Sequence, residues 1–440
     1  MKILTIVSDL GHGGTQRAAV DVALCYKNHG HDSAVLTRNG SGPRSKTLLN
    51  AGIQLFTAQK SSTNPNTPWN TQAKNWHPDI IHIHRSGHQN QADNALLQFL
   101  KNTSTDNKPK IIEHSHFGRY DNSLNQTQPL IDAHIQISKW CLWRWKKWTR
   151  HLPQKPIGIY IPHMVNANTF TPAETKHTDQ LREQHNIPQN TFVFGFLAQP
   201  HPSKRSPTLF NAFKTVAQQD PTVHLMVAGL GETCKPYFKN FPEHIKSRIT
   251  ILPFIQGDNE LRTVYSTMDT FVHSTRIGET FGFILSESMA CQTPVVTMEN
   301  PTRDNAQSEM VGHKRGGLVA ANPKALVQAM TLIKNNPKLH QHCKIQGRKH
   351  VVEHFNKNRV SQMLIALLNH VHQSTNKTDL AQRINQDPLL QSTITTKDLH
   401  NAAQGRIGSH SIPQRLTQFA IHTPTVQQFL YKFKHSKINA

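Results

Sequence analysis

Glu279 and Glu287 stand eight positions apart in Arg276-Ile277-Gly278-Glu279-Thr280-Phe281-Gly282-Phe283-Ile284-Leu285-Ser286-Glu287-Ser288-Met289-Ala290-Cys291. The glycines predict a turn that opens onto a helix. Backbone N–H groups at such a start, here those of Phe281, Gly282 and Phe283, can hold an anion or a sugar hydroxyl. Glu287 then falls about one turn into the helix, where a carboxylate can accept from a ribose diol. Gly13 and Gly14 follow an apolar run and let the backbone approach a phosphate or sugar closely. That turn is not G-x-G-x-x-G, because Gln16 replaces the last glycine, and Arg38 rather than an acid follows the second apolar run. Both facts argue against a nicotinamide dehydrogenase. His82-x-His84 and His114-x-His116 are two H-x-H pairs. On a strand each pair shares a face and could ligate a metal. With no carboxylate or cysteine beside them at ligand spacing, packed strand histidines are the favoured reading.

The elements that must carry these residues are legible as alternating apolar runs and helical periodicity. Runs at Lys2–Ser8, Ser33–Thr37, Ile53–Phe56, Ile80–His84, Lys110–His114 and His134–Ser138 predict buried parallel strands. A second series begins at Phe192–Leu197 and continues at Val223–Gly229, Ile249–Leu252, Thr270–His273 and Pro294–Thr297. Helical stretches lie between them, for example Ala92–Leu100, Pro207–Gln218, Asn259–Thr267 and Ile284–Cys291. The expected fold class is α/β: two tandem doubly wound Rossmann-like domains with a cleft between them and ligands beyond the carboxyl ends of the strands. The expected divisions are a first domain over 1–165, a linker over 166–190, a second domain over 191–353, a helix over 354–372, and a basic polar appendix of uncertain order over 373–440.

The block that starts at Glu279 resembles the E-x7-E region of retaining glycosyltransferases of family 4 (glycosyl transferases group 1), which have the GT-B fold. There the family reads E-G-F-G-x-x-x-x-E-A-M-A-C-G-x-P-V-V; here Gln292 replaces the usual glycine. Asp9–Arg17 resembles the family's first Gly-rich turn, Pro78–His84 its P-D-V-V-H-x-H strand, and Ile159–Asn166 its interdomain I-P-N-x-V-D segment. Asp304–Gln307 and Gly316–Val319 resemble the downstream donor-domain loops. The resemblance runs over residues 1 to 372. It implies a nucleotide-sugar donor on the second domain and a glycan or lipid-linked acceptor on the first, with the helix over 354–372 packing back on the first domain. Cell-surface polysaccharide or lipopolysaccharide assembly is the implied setting. Transfer would be retaining, by same-face departure and attack, with no cofactor and no metal. Glu279 would orient the donor sugar, Glu287 the ribose, Lys204 the diphosphate, and Gly13 and Gly14 the diphosphate–sugar region. His116 would touch the transferring sugar; the alternative is a polar loop histidine. The family's arginine before the lysine is Gln199 here, leaving His201 or Arg205 as candidate replacements. Rival readings are a nucleotide-sugar epimerase or hydrolase of the same fold, and a non-enzymatic membrane-associated binding protein.

The chain of 440 residues carries a formal net charge of +22. That balance suits an anionic partner, such as an anionic membrane surface. No nucleic-acid motif accompanies it, which argues against nucleic acid. Lys139–Arg150 interleaves Trp140, Trp143, Trp145 and Trp148 with basic residues. Two readings stay open for it: a membrane-interface helix, or a first-domain helix that buries some of its rings. Five scattered cysteines without CxxC spacing predict no disulfide frame and no zinc ribbon. No apolar run is long enough to span a bilayer, and the N-terminus lacks signal-peptide features. A cytoplasmic location, with peripheral attachment at the inner face of the cell membrane, is expected.

Overall fold

A computed structural model describes residues 1–59, 64–85, 91–102, 108–117, 129–153, 155–199, 201, 204, 206–423, 425–426 and 429. The chain divides into two compact units. The first holds Met1–Met164, Asn358–Thr395 and residues from Ala420 onward; the second holds Val165–Lys357 and Thr396–Phe419.

In the first unit, β1 (Lys2–Val7), β2 (Asp32–Thr37), β3 (Gln54–Thr57), β4 (Ile80–Arg85), β5 (Lys110–Ser115), β6 (Ala133–Gln136) and β7 (Ile157–Tyr160) form a parallel sheet in the order β3-β2-β1-β4-β5-β6-β7. These strands are almost wholly buried because helices cover both faces, which is why they read as continuous apolar runs. One face packs Ile3, Ile80, Ile112 and Ile135 against Val22 and Tyr26 of helix Gly14–Asn28 and against Val360, Leu364 and Leu367 of helix Lys357–Gln373. In the second unit, β8 (Phe192–Leu197), β9 (Val223–Ala228), β10 (Ile249–Leu252), β11 (Thr270–His273), β12 (Val295–Met298) and β13 (Gly317–Ala320) run parallel in the order β10-β9-β8-β11-β12-β13. Both orders reverse direction once, at β1/β4 and at β8/β11. Such switch points open a crevice at the carboxyl ends of the strands, where ligands bind in this class of sheet.

Several elements differ from the sequence expectations. β7 is not among the expected strands and overlaps the segment Ile159–Asn166 that resembles the interdomain motif; β13 overlaps the stretch Gly316–Val319 read as a loop. The stretch 166–190 is not a free linker. Its helix Thr175–Gln184 packs on helix Asp258–Thr267, and Arg182 bonds Asp269 at 3.2 Å. Residues 373–410 are built into the units. Leu380 and Ile384 join the first unit's core, and Tyr160 N–H donates to Gln391 O at 2.9 Å. In the second unit Ile407 N–H donates to Val319 O at 2.8 Å, extending the edge beyond β13. Helix Lys139–Thr149 is a core helix: Trp140, Trp145 and Trp148 are buried, Trp145 stacks on His134 at 4.3 Å, and the Arg144 guanidinium lies over Trp148 at 4.2 Å. Its aromatic face packs inward and leaves no belt of exposed rings for an interface.

Candidate active site

At the switch point of the second sheet, β11 ends at His273 and the chain turns through Gly278 before Glu279. Gly278 has φ +69, and a Cβ there would meet Asp304 O at 1.7 Å, so only glycine fits. Gly282, at φ +82, caps helix Phe283–Ala290, and no side chain supplies that cap. This local sequence stops the strand, reverses the chain and starts the helix, setting Glu279 beside the carboxyl end of β11.

Lys204, which follows β8, forms an ion pair with Glu279 Oε1. His273 Nε2 lies 3.3 Å from the same oxygen, and its Nδ1 lies 3.1 Å from Thr297 Oγ1. Glu279 N–H donates to Gln307 Oε1 at 3.1 Å, and Ala306 N–H donates to Glu279 O at 2.8 Å. Burial alone would push the Glu279 carboxyl upward. The Lys204 charge and the His273 hydrogen bond outweigh it and hold the pKa at about 2. Glu279 is therefore ionised at neutral pH, next to a cation that is partly exposed.

Glu287 lies one turn into the helix but is 2% exposed, and Tyr265 OH donates to its Oε2 at 3.0 Å. Phe281 is also buried, its ring against Phe283 and Phe355 at 5.6 and 5.5 Å. Of the candidates to replace the family arginine, His201 is exposed and Arg205 lies outside the described residues.

At the carboxyl end of β1, Gly13 caps helix Gly14–Asn28, where a Cβ would lie 2.2 Å from Gln16 Oε1. Gln16 Nε2 donates to both carboxylate oxygens of Asp9 at 3.1 Å and closes the turn. His116 directly follows β5. It is not an exposed loop histidine: it is 3% exposed, with Nε2 at 2.9 Å from His84 Nδ1 and Nδ1 at 3.3 Å from His163 Nε2. The structure thus gathers Lys204 and Glu279 in one unit, and Gly13, Gly14 and His116 at the carboxyl edge of the other. Sequence reading passed over His273, Gln307 and Tyr265. For His273 the available signal was its place as the last residue of a strand at the switch point.

Residues 177–350 match the family model described as glycosyl transferases group 1. No curated protein sequence matches the chain. Among solved structures, a glycosyltransferase from Rickettsia africae is similar at TM-score 0.69 and 16% identity, covering 85% of this chain and 99% of that one. Anabaena HepE, solved with UDP and glucose, is similar at TM-score 0.65 and 16% identity, covering 84% and 99%. WaaG, a glycosyltransferase involved in lipopolysaccharide biosynthesis, is similar at TM-score 0.59 and 12% identity, covering 82% and 98%. At these identities the likeness is one of fold.

Proposed function

We propose that this protein, whose residues 177–350 match the glycosyl transferases group 1 model, is a glycosyltransferase that moves a sugar from a nucleoside diphosphate to a glycan or lipid-linked acceptor. The observation that carries the reading is the Lys204–Glu279 pair at the β8/β11 switch point, inside the matched segment. A departing nucleoside diphosphate gains negative charge, which a fixed cation and helix N–H groups stabilise. In this reading Lys204 exchanges its contact with Glu279 for the diphosphate. Glu279, held ionised, then accepts from hydroxyls of the donor sugar, with the N–H groups of Phe281, Gly282 and Phe283 beside it. Glu287 is assigned to the ribose and His116 to the transferring sugar. Gly13 and Gly14 are assigned to the diphosphate–sugar region.

Transfer with retention, by same-face departure and attack, asks for no carboxylate nucleophile and no metal in the chemical step. The UDP complexes of HepE make UDP-sugars the first donors to test, and WaaG's part in lipopolysaccharide biosynthesis makes lipopolysaccharide the first acceptor. A panel of nucleotide-sugars tests the reading, with thermal shift and hydrolysis as readouts. One donor should raise the melting temperature and be consumed faster once its acceptor is added. Binding by none of them, or equal turnover in Lys204→Ala and wild type, would reject the assignment.

We also propose that the enzyme works at an anionic membrane surface from the cytoplasmic side. The buried tryptophan helix gives this no support. What supports it is the +22 charge together with helix Ile412–Ile421, where Ile412, Leu416 and Phe419 are exposed along one stripe. Among the described residues, no helix is long and apolar enough to cross a membrane.

A further inference from the structure

Parallel pairing of β4 with β5 sets His84 opposite His114, and the two H-x-H pairs turn the same way on neighbouring strands. Their rings stack: His82 on His84 at 4.7 Å, His84 on His114 at 4.7 Å, and His114 on His116 at 4.7 Å. His82, His84 and His114 are each at most 2% exposed. Two of them are held from the outside by one nitrogen only. Tyr26 OH lies 2.6 Å from His82 Nδ1, and His116 Nε2 lies 2.9 Å from His84 Nδ1. The other nitrogens, His82 Nε2, His84 Nε2 and both of His114, are buried with no hydrogen-bond partner. A buried imidazole nitrogen without a partner is costly. Here such atoms come from three residues that neighbour one another.

We propose that His82, His84 and His114 bind one divalent transition-metal ion, Zn2+ by preference. One ring nitrogen from each lies within 4.8 Å of one from the other two. The centre of a triangle with such sides is ~2.8 Å from its corners, and Zn–N bonds run ~2.0–2.1 Å, so each nitrogen closes in by under ~1 Å while the near-parallel rings turn to aim their lone pairs at the ion. Three neutral imidazoles suit zinc, nickel or copper, and not the hard oxygen-seeking ions magnesium and calcium. With the proton on Nδ1, His82 donates to the Tyr26 oxygen and His84 to His116 Nε2, which leaves both Nε2 lone pairs for the metal. Such an outer hydrogen bond fixes tautomer and ring orientation in metal-ligating histidines. Burial holds the His82 imidazole at about 3 and those of His84 and His114 well below their usual value. The rings are therefore neutral at pH 7, and metal uptake displaces no proton from the liganding nitrogens. The ion would pin β4 to β5 beneath the carboxyl edge of the first sheet. It would serve the fold of that unit.

The test uses the full chain, stripped with a chelator and then titrated with Zn2+ under calorimetry and thermal melting, and with Co2+ under visible absorption. One tight equivalent per chain, a rise in melting temperature, and a Co2+ band typical of nitrogen ligands are expected. His114→Gln should abolish them. Tyr26→Phe, which keeps the packing, should weaken binding by ~10–100-fold, the usual effect of losing an outer hydrogen bond to a liganding histidine. The exposed His177→Gln should change nothing. If the stripped wild type shows neither a tight equivalent nor a Co2+ band, the proposal fails. It fails equally if a folded His114→Gln protein keeps both. Should His114→Gln not fold, the wild-type Co2+ band and the Tyr26→Phe affinity decide.

Discussion

Glu279 is buried and yet ionised, so its charge depends on what surrounds it. The unfolded carboxyl titrates near ~4.3, and in the folded protein it sits at about 2. A depressed folded pKa adds stability that is present in full above ~4.3 and is lost as pH falls through 2. Glu113, also held at about 2 by Arg85 and His134 against its own burial, acts in the same direction. Urea unfolding of wild type should therefore lose stability between pH 4.5 and 2 more steeply than Glu279→Gln does. Parallel curves would show that Lys204 does not hold the charge. The two glutamates should also separate in function. Glu279→Gln should lower turnover by ~100-fold, the scale of a misplaced reacting group. Glu287→Gln should weaken nucleotide binding by ~10-fold or more, as expected for one hydrogen bond to a charged group. Single-turnover rates and nucleotide titration measure the two effects. Glu279 was legible because glycine, acid and helix periodicity lie within a short stretch, and Lys204 only through its match to the family's lysine. His273 was not, since only the order of the strands brings it to Glu279.

The loop from β11 to helix Phe283–Ala290 works as an element because its glycines allow a path that other residues block. Gly278→Ala must move the Asp304 carbonyl or leave φ +69. It should cost ~1–3 kcal/mol by the usual scale of stored backbone strain, and it should reduce donor binding by displacing Glu279. Thermal melting and donor titration on one variant test both, and an unchanged melting temperature would show that the turn yields. Helix Lys139–Thr149 makes the converse point. Its composition left interface and core readings open, and the packing of Trp145 on His134 decides for the core. Trp145→Ala should destabilise by ~3–5 kcal/mol, as large core truncations do, and leave vesicle binding unchanged. A stable variant that loses vesicle binding would reverse that assignment.

At the scale of the whole molecule, charge and exposed apolar surface predict binding to anionic vesicles. Each Lys or Arg near such a surface contributes ~1 kcal/mol, and at ~0.15 M salt charges reach only ~8 Å. Co-sedimentation should fall as salt rises, and should fall further in Leu416→Ser/Phe419→Ser, because both side chains are exposed. Equal sedimentation of wild type and variant would remove the helix from the reading. Chelation divides two other properties. Transfer to acceptor should persist in EDTA, while the melting temperature drops as the histidine site empties. Loss of activity at temperatures where the stripped protein remains folded would instead place a metal in the chemistry.

The sequence by itself determined the apolar runs, the periodic helices, the tandem βα series and the short blocks that carry Gly13, Glu279 and Glu287. These depend on neighbours one to eight positions apart, which local sterics and periodicity bind together. Tertiary structure decided what no local pattern contains. It set His84 beside His114 and left His84 Nε2 and both His114 nitrogens without hydrogen-bond partners, and it placed His273 and Gln307 on Glu279. It also seated Ile407 along β13. The physical reason is the strand order. Cross-strand neighbours are tens of residues apart in the chain, and their pairing follows from which strands lie side by side once the apolar faces are covered.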